Sequence, residues 1–362
     1  MFPYWVLFTA AAAGAFQNSA DPSRRVQGGP LLVALAVLVA LMVGLRFEVG
    51  GDWTAYLQIF WELRYAPLTQ AITMSDPGYI LLNWLVYQLG IEIWLVNLVC
   101  GAMFAWGLLV FCKRLPNPWM GFVVAVPYLI IVVAMGYTRQ GVAIGLILVG
   151  IVHLRDNHSM ARFAFYIFAA AAFHKTAVIV LPLVALAATK NRFVLLGIGA
   201  ALGAMLYYFF IYTELDLLMQ NYVTDEYDSS GALLRLSMNL PPAIIFLLLK
   251  NRFGLDEFDR TLWRNFAYAA FVAFAFLFVL ASSTVIDRLA LYIIPLQMFV
   301  YAQLPTVFGS RGRENGAVKI AIIAYAGLVL FVWLTQATNA GQWLPYAVYP
   351  LWAEHTITLG RQ

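Results

Sequence analysis

Charge is what this chain of 362 residues has least of: Asp, Glu, Lys and Arg make up 11% of it, against 63% hydrophobic residues. Soluble domains carry roughly 25% charged residues, so a soluble globular protein is excluded. Mean hydropathy is +0.80. No polar linker is long enough to separate two domains, and the chain reads as a single integral membrane domain over residues 1–362. The net charge of +4 is spread over short loops, where it marks topology and makes no nucleic-acid surface. Cysteine is equally scarce. Cys100 and Cys112 lie in one apolar stretch, and twelve residues of helix hold them about 18 Å apart, beyond disulfide reach. They read as packing residues.

The chain also has no P-loop, HExxH, GxSxG or CxxC pattern. Gly197-x-Gly199-x-x-x-Gly203 has no strand before it and sits in an apolar run, where small residues four apart favour close helix packing. Neither a metal nor a cofactor is expected, and nothing reads as a site for a nucleoside triphosphate. An enzyme built on this chain must take its energy from an already activated substrate. The apolar run 4–16 lacks a basic segment ahead of it and reads as a retained first helix, not a cleaved signal.

What is there is apolar helix. Runs such as 30–45, 119–137 and 317–335 suit single spans of about 17–25 residues. The expected fold is an all-α polytopic membrane protein of about 10–12 transmembrane helices, with re-entrant or half helices around an outward-facing cavity. Arg24-Arg25, Lys113-Arg114, the cluster His153, Arg155, His158 and Arg162, the cluster Lys250, Arg252, Arg260 and Arg264, and Arg311 with Arg313 are assigned to the cytoplasm by the positive-inside rule. Three segments then fall outside: 46–91, the acidic loop 213–232, and the tail 338–362. Segment 79–90 gives only about 18 Å of helix against a ~30 Å hydrocarbon core, so it reads as a re-entrant or interfacial helix on the outer side. Such backbone needs protein or a water-filled cavity around it. Segment 163–188 has basic residues at both ends and a natural break at Phe173-His174-Lys175-Thr176. It reads as a hairpin of two half-helices, with a single tilted span as the alternative.

The stretch 46–79 concentrates what charge there is: Arg46, Glu48, Asp52, Glu62, Arg64 and Asp76, among aromatics. Charge this dense beside a membrane is costly and marks a site. Arg46, Asp52, Asp76, Arg139, His174 and Arg288 come from six distant places and all fall on or near the outer side. Arg46 could also snorkel to headgroups, and Asp52, after Gly50-Gly51, could be a solvated loop acid. Asp76-Pro77-Gly78-Tyr79 reads chiefly as a tight turn, with Asp76 capping the helix that follows. Arg139-Gln140 stands between two spans with no loop to hold it in water, and an intramembrane Arg pairs with something. His174-Lys175 is the sharpest polar pair, flanked by uniformly apolar sequence. Asp287-Arg288 either serves the site or neutralises itself. Trp53, Tyr56, Trp61, Tyr65 and the aromatics from Trp343 to Trp352 fit an interfacial belt as well as a sugar-stacking surface. Together these residues make an outer cavity with several cations (Arg46, Arg139, Lys175, Arg288), one histidine and a carboxylate or two. Arginines fork onto phosphate oxygens, and a carboxylate or histidine can take a proton from an attacking hydroxyl. Transfer of a group off a lipid pyrophosphate requires both.

The same residues resemble a family pattern. Arg46 with Gly51-Asp52 and Tyr56, then Asp76-Pro77-Gly78-Tyr79, Arg139-Gln140 with Ala143, and Phe173-His174-x-x-Ala177 are similar, over residues 40–180, to the EpsG-type branch of Wzy-like polysaccharide polymerases. Members more often carry Glu where Asp76 stands, and Ser where Lys175 or Thr176 stands. The resemblance implies a multi-pass enzyme of the bacterial inner membrane, acting on its periplasmic side. It would join oligosaccharide repeat units carried on undecaprenyl pyrophosphate by an inverting transfer, with no nucleotide-sugar or metal. Chain-length regulators and export proteins are the implied partners, besides the lipid-linked oligosaccharide and membrane lipids. The implied catalytic set is His174, Asp52 and Arg139. Arg46, Tyr56, Asp76, Tyr79, Gln140, Lys175, Arg288 and Tyr292 would bind substrate, with Arg139, Arg46 and Arg288 on the pyrophosphate and His174 or Asp52 as the base. A lipid-linked oligosaccharide flippase and a membrane O-acyltransferase are the competing classes.

Overall fold

A computed structural model describes residues 1–17, 29–63, 67–72, 75–157, 159–188, 231–279, 283–310 and 312–349, with Phe193 and Gly197. Arg24, Arg25, Arg64, Tyr65, His158, Lys190, Arg192, Arg311, the acidic residues of the 213–232 loop and Trp352 lie outside the described residues. Helix dominates. Among the described residues, five helices are long and apolar enough to cross a membrane: Ile93–Cys112, Thr138–Asp156, Ala232–Arg252, Ser283–Val307 and Gly316–Gln336. Shorter apolar helices cover Pro30–Gly44, Pro118–Ala134, Met160–Phe173 and Lys175–Ala187. The protein is an all-α, multi-pass membrane protein.

The described residues form two compact units. The first draws on Met1–Asp156, Ala161–Ala177 and Tyr301–Gln362. It contains α1 (Phe2–Gln17), α2 (Pro30–Gly44), β1 (Arg46–Phe47), α3 (Trp53–Glu62), α4 (Leu68–Ala71), α5 (Pro77–Gln88), α6 (Ile93–Cys112), α7 (Pro118–Ala125), α8 (Thr138–Asn157) and α9 (Met160–Phe173). Glycine sets its helix crossings. A Cβ on Gly101 would stand 2.8 Å from the Ala40 carbonyl of α2, and one on Gly107 would stand 2.1 Å from the Gly145 carbonyl of α8. Small residues allow this backbone approach, which in lipid replaces the hydrophobic drive as the source of packing energy. α7 runs on into a π-helical stretch, Val126–Ala134, that carries Pro127 near its start. Proline supplies no N–H to a regular helical ladder, and π-turns of this kind are frequent at functional sites. A fresh helix, α8, begins four residues beyond that stretch.

The second unit, Asn157–Met160 with Val178–Val300, contains α10 (Val180–Ala188), α11 (Ala232–Ser237), α12 (Leu240–Leu249), α13 (Glu257–Phe276) and α14 (Ser283–Ala290). Its centre is aromatic: Trp263 stacks on Phe299 at 4.0 Å, with Phe253 and Phe246 alongside. α15 (Ile294–Val307) contributes residues to both units, and α16 (Gly316–Gln336) and β2 (Ala347–Val348) complete the first.

Two faces of the first unit are stitched separately. At one, Asn117 caps α7 and donates to the Ala15 carbonyl at 3.2 Å, while the buried Lys319 pairs with Glu314 and reaches the same carbonyl at 3.1 Å. The ends of α1, α7 and α16 thus meet there, all ends that charge assigns to the cytoplasm. At the other face the chain returns on itself. Val348 pairs with Arg46 and Ala347 with Phe47, antiparallel, and Gly50 N donates to the Gln342 carbonyl at 2.8 Å. Trp343, expected in an interfacial belt or a sugar surface, is instead a buried peg. Its indole donates to the Ile131 carbonyl at 2.7 Å, in the π-helical stretch.

Candidate active site

The polar residues of 46–79 divide into two sets, and the structure gives them different partners. Arg46 is 1% exposed. Its guanidinium donates to the Val43 carbonyl, to the Val49 carbonyl at 3.1 Å, to Thr138 Oγ1 at 2.6 Å and to Asn97 Oδ1 at 3.4 Å. The Trp53 ring lies 5.8 Å away. All these partners are neutral protein groups, so Arg46 ties the end of α2 to α6 and α8. The glycines beside it have matching work. Gly50 holds φ +109°, and a Cβ there would stand 2.3 Å from the Met135 carbonyl. The loop is thereby laid against the turn that precedes α8.

Asp76 departs most from its sequence reading. It occupies the N-cap position of α5, yet its side chain makes no capping bond there. Instead Oδ2 pairs with Arg139 Nη1 at 2.9 Å, and Oδ1 accepts from Lys175 N at 3.1 Å. The physical reason is proximity. A Cβ on Gly78 would stand 3.0 Å from the Ala172 carbonyl, so the start of α5 packs directly on the end of α9. The carboxylate gains a charged partner, Arg139, that its own helix N–H groups cannot match.

Arg139 is the second residue of α8. Ser75 Oγ accepts from its Nη1 at 2.7 Å beside the Asp76 carboxylate, and the Tyr56 and Tyr79 rings flank its Cζ at 5.8 and 5.9 Å. Its side chain is 24% exposed, so the cation is walled but reachable. Burial pushes the Tyr56 phenol up to about 12, with Asp52 adding to the rise. Tyr56 therefore stays protonated at neutral pH, and it serves as a wall whose phenol oxygen accepts from Arg139, not as a base. Asp52 is half-buried ahead of α3, and Tyr56 N donates to its backbone carbonyl at 3.0 Å. His174 falls at the break between α9 and a 3-10 turn, Lys175–Ile179, as the sequence implied. Its Nδ1 lies 3.1 Å from Thr176 Oγ1, and the ring is half-buried. The Lys175 side chain is exposed, and Gln140 is buried on α8.

One unit thus brings together Asp76, Arg139, Tyr56, Tyr79 and the backbone of Lys175. Arg288 and Tyr292 belong to the second unit. There Asp287 forms a double-toothed pair with Arg235, at 2.9 and 2.7 Å. Tyr292 lines an apolar groove of about 340 Å³ between α10, α13 and α14. Sequence reading missed Ser75, Asn97, Thr138 and Arg235. Only Asn97, a lone amide inside an apolar run, carried a signal.

Residues 31–348 match the model of the EpsG family. The chain belongs to the EpsG family. EpsG proteins are membrane proteins of exopolysaccharide biosynthesis, and the matched span takes in each motif residue described above. No curated protein and no solved structure matches the chain. No group of three or more His, Cys, Asp or Glu side chains poised to hold a metal occurs among the described residues.

Proposed function

We propose that this EpsG protein is a polysaccharide polymerase. It transfers a growing glycan from undecaprenyl pyrophosphate onto an incoming lipid-linked repeat unit, at the periplasmic face of the bacterial inner membrane. The observation that carries the reading is Arg139. It is a partly exposed guanidinium at the N-terminus of a twenty-residue helix, oriented by Ser75 and Asp76 and walled by two tyrosines. A helix N-terminus and an arginine fork both favour phosphate oxygens. Aromatic rings beside a cation suit a sugar-pyrophosphate.

In this reading an acceptor hydroxyl attacks the anomeric carbon of the first sugar on the polymer-bearing carrier. A new glycosidic C–O bond forms, and the bond from that carbon to the pyrophosphate oxygen breaks. Arg139 stabilises the charge left on the pyrophosphate. The hydroxyl proton passes to His174 or Asp52. The tautomer in which Nδ1–H donates to Thr176 Oγ1 leaves His174 Nε2 with the lone pair a base requires. Arg46, saturated by neutral acceptors, keeps the loop in place and does not touch the pyrophosphate.

The test is reconstitution in proteoliposomes with a purified lipid-linked repeat unit. A product ladder is expected. Movement across the bilayer without product would make the protein a flippase, and an acylated monomer would make it an acyltransferase. Arg139→Ala should slow ladder formation by about 10²–10³-fold, and an unchanged ladder would remove the clamp. Of His174→Ala and Asp52→Ala, the variant lacking the base should slow transfer by about 10²–10⁴-fold.

A further inference from the structure

Asp76 has one carboxylate and two separate duties. Oδ2 holds Arg139 Nη1, on α8, while Oδ1 holds Lys175 N, one residue past His174. The side chain is 7% exposed, and it leaves the start of its own helix without a side-chain bond. Both hydrogens of Arg139 Nη1 are then committed to the neighbouring pair Ser75 and Asp76, which fixes the plane of the guanidinium. The backbone on the histidine side is fixed as well, because Gly78 lies against Ala172 and His174 N donates to the Ala170 carbonyl at 2.8 Å.

We infer that Asp76 is a positioning residue that sets the phosphate-binding guanidinium of Arg139 and the His174 turn at a fixed separation. The inference rests on the polymerase reading, and the ligand it serves is the pyrophosphate of the lipid-linked donor. Its logic is geometric. In-line transfer needs the leaving group and the acceptor base correctly spaced, and a misplacement of about 1 Å can cost about 10²-fold. One rigid carboxylate bonded to both elements sets that spacing, and no substrate atom need touch it.

Three variants separate the two duties. In Asp76→Asn the amide oxygen still accepts from Lys175 N, while its NH₂ would face Arg139 Nη1, donor against donor. Only the arginine arm is cut. Asp76→Ala cuts both arms, and Asp76→Glu keeps the charge on a longer stem. With the purified lipid-linked unit in proteoliposomes, Asp76→Asn should raise KM several-fold and lower kcat about tenfold, because the misoriented Arg139 serves the leaving group as well as binding it. Asp76→Ala should raise KM alike and lower kcat further, by about 10²-fold in all. Asp76→Glu should recover part of both. In an Arg139→Ala background Asp76→Asn should add nothing further.

Thermal midpoints in detergent accompany each variant, and if Asp76→Ala does not fold, Asp76→Asn with Arg139→Ala decides. Wild-type constants in Asp76→Asn and Asp76→Ala would overturn the inference. So would equal losses in both variants that track lowered midpoints, since that is the mark of a scaffold carboxylate. An undiminished ladder in Arg139→Ala would instead overturn the polymerase reading on which the inference stands.

Discussion

Arg46 directs its guanidinium at neutral acceptors, and Asp76 divides one carboxylate between Arg139 and Lys175 N. Arg46 reads from sequence as a pyrophosphate ligand beside Arg139 and Arg288, and Asp76 chiefly as a turn. In the fold the arginine is sealed among Val43, Val49, Asn97 and Thr138, and the aspartate joins three elements. A sequence shows residue type and position along the chain. It does not show which groups arrive from elsewhere, and Thr138 and Asn97 arrive from 92 and 51 residues away. Arg46 therefore makes a stability prediction. Arg46→Met leaves its buried acceptors unmet, at about 1–3 kcal/mol each. The thermal midpoint in detergent should fall sharply, and Arg46→Lys should not restore it, because one ammonium cannot span the fork's acceptors. An unchanged midpoint with a lost polymer ladder would make Arg46 a ligand after all.

Helices were legible where they were apolar and bounded by charge. The expected spans 92–112 and 317–337 are found as Ile93–Cys112 and Gly316–Gln336. The break at Phe173–Thr176 was legible too, because three polar residues, His174, Lys175 and Thr176, interrupt uniformly apolar sequence. The π-helical stretch Val126–Ala134 was not, since hydrophobic pattern cannot report the pitch of a helix that is apolar on every side. Glycine contacts were equally hidden, yet they decide how elements meet. Gly78→Ala puts a methyl 3.0 Å from the Ala172 carbonyl and 3.1 Å from the Ala172 Cβ. α5 must then move off the end of α9, which stretches the bond from Lys175 N to Asp76. The ladder should shorten or vanish while the thermal midpoint falls only modestly. Gly316→Ala, with nothing within 4 Å of the added Cβ, is the matched control and should leave both unchanged. Equal behaviour of the two variants would show that the α5–α9 contact does not matter.

At the scale of the molecule, sidedness is the property on which the functional reading depends. Charge put 46–91 and 338–362 on one side, and the ends near Lys113, Arg155 and Arg313 on the other. The packing of the first unit agrees in grouping them. Gly50 bonds Gln342 and β1 pairs with β2 at one face. Arg114 pairs with Asp156, and Asn117 meets Glu314, at the other. Grouping alone does not say which face looks outward; only the positive-inside rule does that. Single-cysteine labelling tests it directly, because the native Cys100 and Cys112 are buried. Thr54 on α3 and Lys113 after α6 are both exposed. In intact cells a membrane-impermeant maleimide should label Thr54→Cys at once and Lys113→Cys only after permeabilisation. The reverse order would turn the Arg139 site to the cytoplasm, away from the periplasmic leaflet on which the proposed substrate is presented. Polymerisation there would then be impossible whatever the chemistry of Arg139.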